Sequence, residues 1–169
     1  MTNELNFPVV TLIGSTRFRD LFEHIGAVLS LDGYVVLMPA IWEKTYGITV
    51  TDEQDNMLER MGYWRMSHSD YVVVINEGDY IGKSTGKELI WALAHGIPTC
   101  FLKPISITEL AKFDASIAAP DQRLLDPVNA VNDVLAVVAS GSIRSKKCME
   151  LRDKVVAAAE GGVPDGKIC

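Results

Sequence analysis

The chain has 169 residues, 48% hydrophobic and 22% charged, a balance that suits one folded domain and excludes a disordered polypeptide. Acidic residues outnumber basic ones by 22 to 16, giving a formal net charge of −6, which excludes a general affinity for nucleic acid polymers. A local basic spot that holds a small phosphate remains compatible with that sign.

In chain order, the first apolar run is Val9–Ile13, and Gly14-Ser15-Thr16-Arg17 follows it. Phe18, Leu21, Phe22, Ile25, Val28 and Leu29 then recur at helical spacing, and Gly33 closes that helix before a second run, Val35–Met38. The loop Pro39–Thr51 carries Trp42, Tyr46 and Gly47, aromatics suited to stacking on a base or to covering a sheet edge. Thr51-x-x-Gln54 opens a helix as a capping box, with Met57, Leu58, Met61 and Trp64 as its apolar face. Tyr71–Ile75 is a third apolar run, followed by the glycine-rich stretch Asn76–Ser84. Thr85-x-x-Glu88 reads as a second capping box, and Leu89, Ile90, Leu93 and Ala94 give a third apolar face that stops at Gly96 and Pro98. Thr99–Leu102 is the fourth run.

These runs are continuous rather than alternating, as in parallel strands covered on both faces. Their alternation with helices predicts an α/β fold, a flavodoxin-like or Rossmann-like doubly wound parallel sheet with C-terminal helices. Asp126-Pro127 starts a helix bearing Val128, Val131, Leu135 and Val138, Gly141 breaks it, and a last helix covers 144–160. The expected organisation is a single domain over 1–169, with a core at 8–102, a helical appendage at about 126–160 that packs on it or forms an oligomer contact, and a loose tail at 161–169. Ligands of such sheets bind beyond the carboxyl ends of the strands, at the switch point in strand order. The segments there are Gly14–Arg17, Pro39–Thr51, Asn76–Ser84 and Lys103–Ser106.

Two motif readings of the glycine-rich stretch fail on spacing. Gly82-Lys83-Ser84-Thr85 ends like a phosphate-binding P-loop, but Gly78 and Gly82 enclose three residues where four are needed. Gly82-Lys83-Ser84-Thr85-Gly86 spells a hydrolase nucleophile elbow, yet Ser84 lies several residues past the strand, and the only later histidine, His95, is in the same helix. Glu88 has two compatible readings. It completes the capping box with Thr85, and as a carboxylate in a helix first turn it is kept ionised by the helix dipole. A fixed carboxylate anion is what a glycosyl-transfer nucleophile requires. Small residues at Gly14, Ser15 and Thr16 let backbone N–H groups approach an anion; Ser15 or Thr16 could equally be a helix cap, and Arg17 a solvated charge.

Cys100, Cys148 and Cys169 lie far apart, and His24, His68 and His95 show no ligand spacing, so no metal site is expected. Cys100 sits in an apolar run as a buried thiol. No basic region followed by an apolar run opens the chain, and no apolar stretch approaches the roughly 18 residues of a membrane span. A cytoplasmic protein without a membrane partner is the expectation.

The stretches L-I-G-S-T-R-F-R-D-L-F, from Leu12, and D-Y-V-V-V-I-N-E-G-D-Y-I-G-K-S-T-G-K-E-L-I-W-A-L-A-H-G-I-P, from Asp70, resemble nucleoside 2-deoxyribosyltransferase-like proteins, a family that includes nucleotide N-glycoside hydrolases. The likeness covers about Val9 to Leu102. It implies an enzyme that cleaves or exchanges the N-glycosidic bond of a (deoxy)nucleoside or its 5′-monophosphate, with no cofactor and a homodimeric assembly. It implies Glu88 as the catalytic group acting on C1′, and a loop of Gly14, Ser15, Thr16 and Arg17 that holds sugar or phosphate. Asn76, Gly78, Tyr80, Gly82 and Ser84 would complete the substrate pocket. Family enzymes commonly carry an additional acid on the helix before the third strand; that register falls at Gly62 here, leaving Glu59 and Asp55 as the candidate acids, and Ser67 stands where relatives often have aspartate. The alternative on the same fold is a nucleotide-binding or sensing module without turnover.

Overall fold

The computed structural model of the protein describes residues 6–40, 46–105, 112–113 and 146–161, and the side chains of 146–149 are outside that description. Trp42, Ser106, the helix expected from Asp126, the break at Gly141 and the tail beyond residue 161 lie outside the described residues, as do Cys169 and the Cys148 side chain.

Four parallel strands form one sheet in the order β2-β1-β3-β4, with β1 at Val9–Gly14, β2 at Val35–Leu37, β3 at Tyr71–Ile75 and β4 at Thr99–Phe101. The helices are α1 (Arg19–Leu31), α2 (Asp52–Ser67), α3 (Lys83–Ala94) and α4 (Lys146–Glu160). The fold is thus an α/β, flavodoxin-like or Rossmann-like parallel sheet wound on both sides. Period-2 alternation along the strands divides the core in two. Val10, Leu12, Val73, Ile75, Cys100 and Leu102 face α1 and α4, which contribute Phe22, Ile25, Leu29, Leu151, Val155 and Ala158. Ile13, Val72 and Val74 face α2 and α3, which contribute Met66, Leu89 and Ala92. Each large apolar side chain buried here is worth roughly 1.5–3 kcal/mol. Cys100 is buried, as its apolar run implies.

Local signals set the element ends. α1 and α3 both finish in Schellman geometry. Gly33 (φ 88°) and Gly96 (φ 67°) take the left-handed position, and the next residues, Tyr34 and Ile97, donate back to Leu29 and Ala92. The Thr51–Gln54 capping box is formed in both directions. The expected Thr85–Glu88 box is not formed. α3 starts three residues earlier with Gly82 as its N-cap, Gly86 donates to the Gly82 carbonyl, and Thr85 is buried inside the first turn. Glu88 is therefore the sixth helical residue, beyond the first turn.

Two other expectations are corrected. The face of α2 that enters the core is Gly62 and Met66, flanked by the half-buried Tyr63, whereas Met57, Met61 and Trp64 point outward at 53, 46 and 58% exposure. Glycine offers close approach and no hydrophobic signal, so the buried side reads as polar in sequence. β2 is an edge strand with Val35 exposed, and it is not covered on both faces. On the opposite edge of the molecule, Leu151, Val155 and Ala158 seat α4 against α1 and β4, and Lys154 pairs with Asp32 at the end of α1. The last helix is a working part of the core.

Candidate active site

The strand order reverses between β1 and β3, so the chain after these strands passes to helices on opposite faces of the sheet; sheets of this kind hold ligands at such a switch point, beyond the carboxyl ends of the strands. Gly14 closes β1 beside Ile75, and a Cβ on it would lie 2.7 Å from the Ile75 carbonyl oxygen and 3.1 Å from the Phe22 ring. Only glycine lets the two backbones approach this closely. Ser15 caps the short 3-10 turn Thr16–Phe18 by accepting the Arg17 N–H. From the other side, the second 3-10 turn, Glu77–Asp79, brings Gly78 and Asp79 into left-handed conformation (φ 61° and 58°) and delivers Tyr80 to the first loop. The Arg17 guanidinium stacks 3.7 Å from the Tyr80 ring centroid, and the Phe18 ring meets the same tyrosine edge-on at 6.3 Å. Gly82 lies under the Tyr80 hydroxyl and heads α3 without any side-chain cap, and Ser84 is exposed in the first turn. The first N–H groups of α3 thus have no side-chain acceptor from the N-cap residue.

Asn76 is buried at 1% exposure. Its amide donates to the Lys103 carbonyl at 2.8 Å and accepts the Lys103 N–H at 2.9 Å, so it buttresses the ends of β3 and β4 and presents no surface to a ligand.

A second group forms where α3 packs on α2. The half-buried Glu88 carboxyl lies against Gly62, with Oε1 2.8 Å from where a Cβ would stand. The Arg65 guanidinium flanks the same spot, its Nη2 3.6 Å from it. Glu59, one turn before Tyr63 on α2, accepts the Tyr63 hydroxyl at 3.0 Å and pairs with Lys87 at 3.5 Å. Burial drives the Glu88 carboxyl up to about 7; Arg65 opposes the rise and Glu59 adds to it. The sequence expectation of a carboxylate kept ionised by a helix start is thereby corrected. Six residues into α3, the macrodipole is weak and desolvation governs. Tyr63 is raised above the usual phenol range by burial and by its bond to Glu59. The Arg65 guanidinium is lowered by burial, against the pull of Glu88.

Arg17 stacks on Tyr80, and the Glu59 charge is near enough to act on Glu88. Asp55 is exposed on the first turn of α2 and takes no part. Among the described residues, no hydrogen bond, ion pair or ring contact joins the Arg17–Tyr80 pair to the Glu88 group. A cavity of about 380 Å³ lies at the carboxyl ends of β3 and β4 on the α1–α4 side, lined by Leu21, Glu77, Leu102, Lys103, Val156, Ala159 and Glu160, and neither Arg17 nor Glu88 is among its lining residues. Among the described residues no cluster of His, Cys, Asp or Glu gathers to hold a metal ion, and no helix is long and apolar enough to cross a membrane.

Sequence reading missed Arg65 and Tyr63. Their signal was the 3–4 residue spacing of Glu59, Gly62, Tyr63 and Met66, one helix face interrupted by a glycine. Searches against protein families, curated proteins and solved structures found no match for this chain.

Proposed function

We propose that the protein cleaves or exchanges the N-glycosidic bond of a (deoxy)nucleoside or nucleoside 5′-monophosphate, in the manner of the nucleoside 2-deoxyribosyltransferase-like proteins its motifs resemble. The observation that carries this reading is Glu88, a secluded carboxyl titrating near 7 beside a second carboxylate, Glu59, on a helix that leaves the switch point. In the anionic form Glu88 attacks C1′. The C1′–N bond breaks with its electron pair passing to the base, through an oxocarbenium-like state, and a glycosyl ester forms on Glu88. The leaving base takes a proton, for which the Glu59–Tyr63 pair is the relay on α2. Water or a second base then displaces the carboxylate and restores it. Arg17, stacked on Tyr80, and the uncapped start of α3 at Gly82 and Ser84 supply the donors for sugar hydroxyls or a 5′-phosphate. The protein works on a small molecule, without a cofactor, in the cytoplasm and as a homo-oligomer.

The test is chromatography of free base after incubation with a panel of nucleosides and 5′-monophosphates. Release by the parent chain, reduced about 10³-fold or more in Glu88→Gln, is the expected result. No release by the parent, or equal release by the variant, rejects the reaction. A second reading, a nucleotide-binding module without turnover, draws on the absence of any contact between the Arg17–Tyr80 pair and Glu88. It predicts calorimetric binding of intact monophosphates with no base formed.

A further inference from the structure

The Glu88 group contains an arginine whose placement fold stability does not explain. Arg65 is partly buried, and its Nε is enclosed without any hydrogen-bond acceptor. It takes part in none of the ion pairs among the described residues. A buried cation that serves only packing is ordinarily bonded to a carboxylate or to carbonyls, because leaving its donors unpaired costs free energy. Here the guanidinium is instead held beside a point in space that it shares with the Glu88 carboxyl, and that point is where residue 62 would carry its side chain. Any side chain at 62 would drive into Oε1.

We propose that Gly62 and Arg65 act as a unit that seats Glu88: the glycine vacates the space the carboxyl occupies, and the arginine's nearby charge, without a direct ion pair, eases the carboxyl's ionisation there against the cost of burial. Arg65 is thus a positioning residue of the proposed reaction, and the inference rests on that reading for its catalytic meaning. Among the described residues, the charged and titratable groups around Glu88 are Arg65, Glu59 and Tyr63 from α2 and Lys87 from α3. Lys87 is bonded to Glu59 and Tyr63 donates to Glu59, so Arg65 is the cation that acts on Glu88. The arrangement also accounts for the departure at position 62. An acid there would meet Glu88 oxygen to oxygen, whereas a cation one turn later attracts it.

The test is a titration of the full chain with ¹³C-carboxyl-labelled glutamate, the Glu88 resonance being assigned by its loss in Glu88→Gln. Replacing Arg65 by Met or by Gln is expected to raise the Glu88 midpoint by about one pH unit or more, and Arg65→Lys to restore it toward the parent value. In the parent itself, which needs no variant to fold, the ¹⁵Nε resonance of Arg65 should inflect at the Glu88 midpoint. An unchanged midpoint in Arg65→Met, or an Arg65 resonance that stays flat while Glu88 titrates, overturns the proposal. Base release separates this inference from the reaction. Coupled titration in a parent that releases no base keeps the seating pair and rejects the reaction. Release whose pH profile is identical in parent and Arg65→Met keeps the reaction and rejects the pair.

Discussion

Glu88 is held by the fold in an environment that favours its proton, and this has a measurable thermodynamic cost. Its carboxyl titrates near 7 when folded, against about 4.3 for an unperturbed glutamate. Between those values the folded chain binds more protons than the unfolded one, so this group's contribution to stability is full below the ordinary glutamate value and is lost as pH rises to about 7. Glu88→Gln removes the ionisation, and its urea midpoint at pH 8 should exceed the parent's by the equivalent of up to about 3 kcal/mol, with the two converging at pH 4. The same carboxyl must be anionic to attack C1′. Base release should therefore fall about tenfold per unit as pH drops below about 7, read from initial rates across a buffer series. Gly62→Ala brings a methyl to within 2.8 Å of Oε1, so either the carboxyl or α2 must give way. Oε1 is the free end of a flexible side chain and alanine is the better helix former, so a shifted Glu88 titration is expected with a stability change within about 1 kcal/mol by thermal melting. An unaltered carboxyl resonance would mean that the space at 62 has no hold on Glu88.

At the level of elements, legibility followed the kind of signal. The β1 and β3 strands were readable because uninterrupted Val and Ile runs have few other stable homes, β4 (Thr-Cys-Phe) because a short apolar run follows the Gly96–Pro98 stop, and α1 because its apolar stripe agrees with the Gly33 terminator. α2 was readable as a helix through Thr51 and Gln54, but not in its rotation. Met57, Met61 and Trp64 are its strongest apolar signal and lie outside, while the inner face carries Gly62, beside which the Glu88 side chain sits, and Met66. The start of α3 was misjudged because Thr85 fits an N-cap, and burial of Thr85 and Gly86 in the first turn outweighed that local bond. Gly86 shows the pressure at work, since the Phe113 ring packs where its Cβ would be. α4, expected only to cover the core or to meet a partner, is tested by Leu151→Ala. A helix that completes the α1 side of the core should lose about 2–5 kcal/mol on that change by chemical denaturation. A loss below about 0.5 kcal/mol would make it a dispensable cover.

Across the whole molecule, the sheet order brings together what the sequence keeps more than sixty residues apart. Gly14 touches Ile75, and Arg17 meets Tyr80, only because β3 lies directly beside β1. The sequence predicted a parallel sheet with ligands beyond its strand ends, but not which strands pair; the β1–β3 adjacency is a finding of the structure. The candidate site was legible to the same extent. Of the residues named for their position after a strand, Arg17 and Tyr80 meet between the β1 and β3 loops and Gly82 and Ser84 fall at the start of α3, whereas Asn76 turns inward to bind Lys103. Glu88's surroundings were not legible, because they depend on the rotation of α2 about its own axis, a property set by packing against α3. The central claim is that the Glu88 carboxylate forms a bond to the sugar. The most direct measurement is mass spectrometry of the protein after incubation with 2′-fluorinated nucleosides, whose glycosyl-enzyme esters break down slowly. The account predicts an adduct of one fluorosugar on the peptide that contains Glu88, absent from Glu88→Gln; base release with no adduct on the parent, or with an adduct retained in the variant, would contradict it.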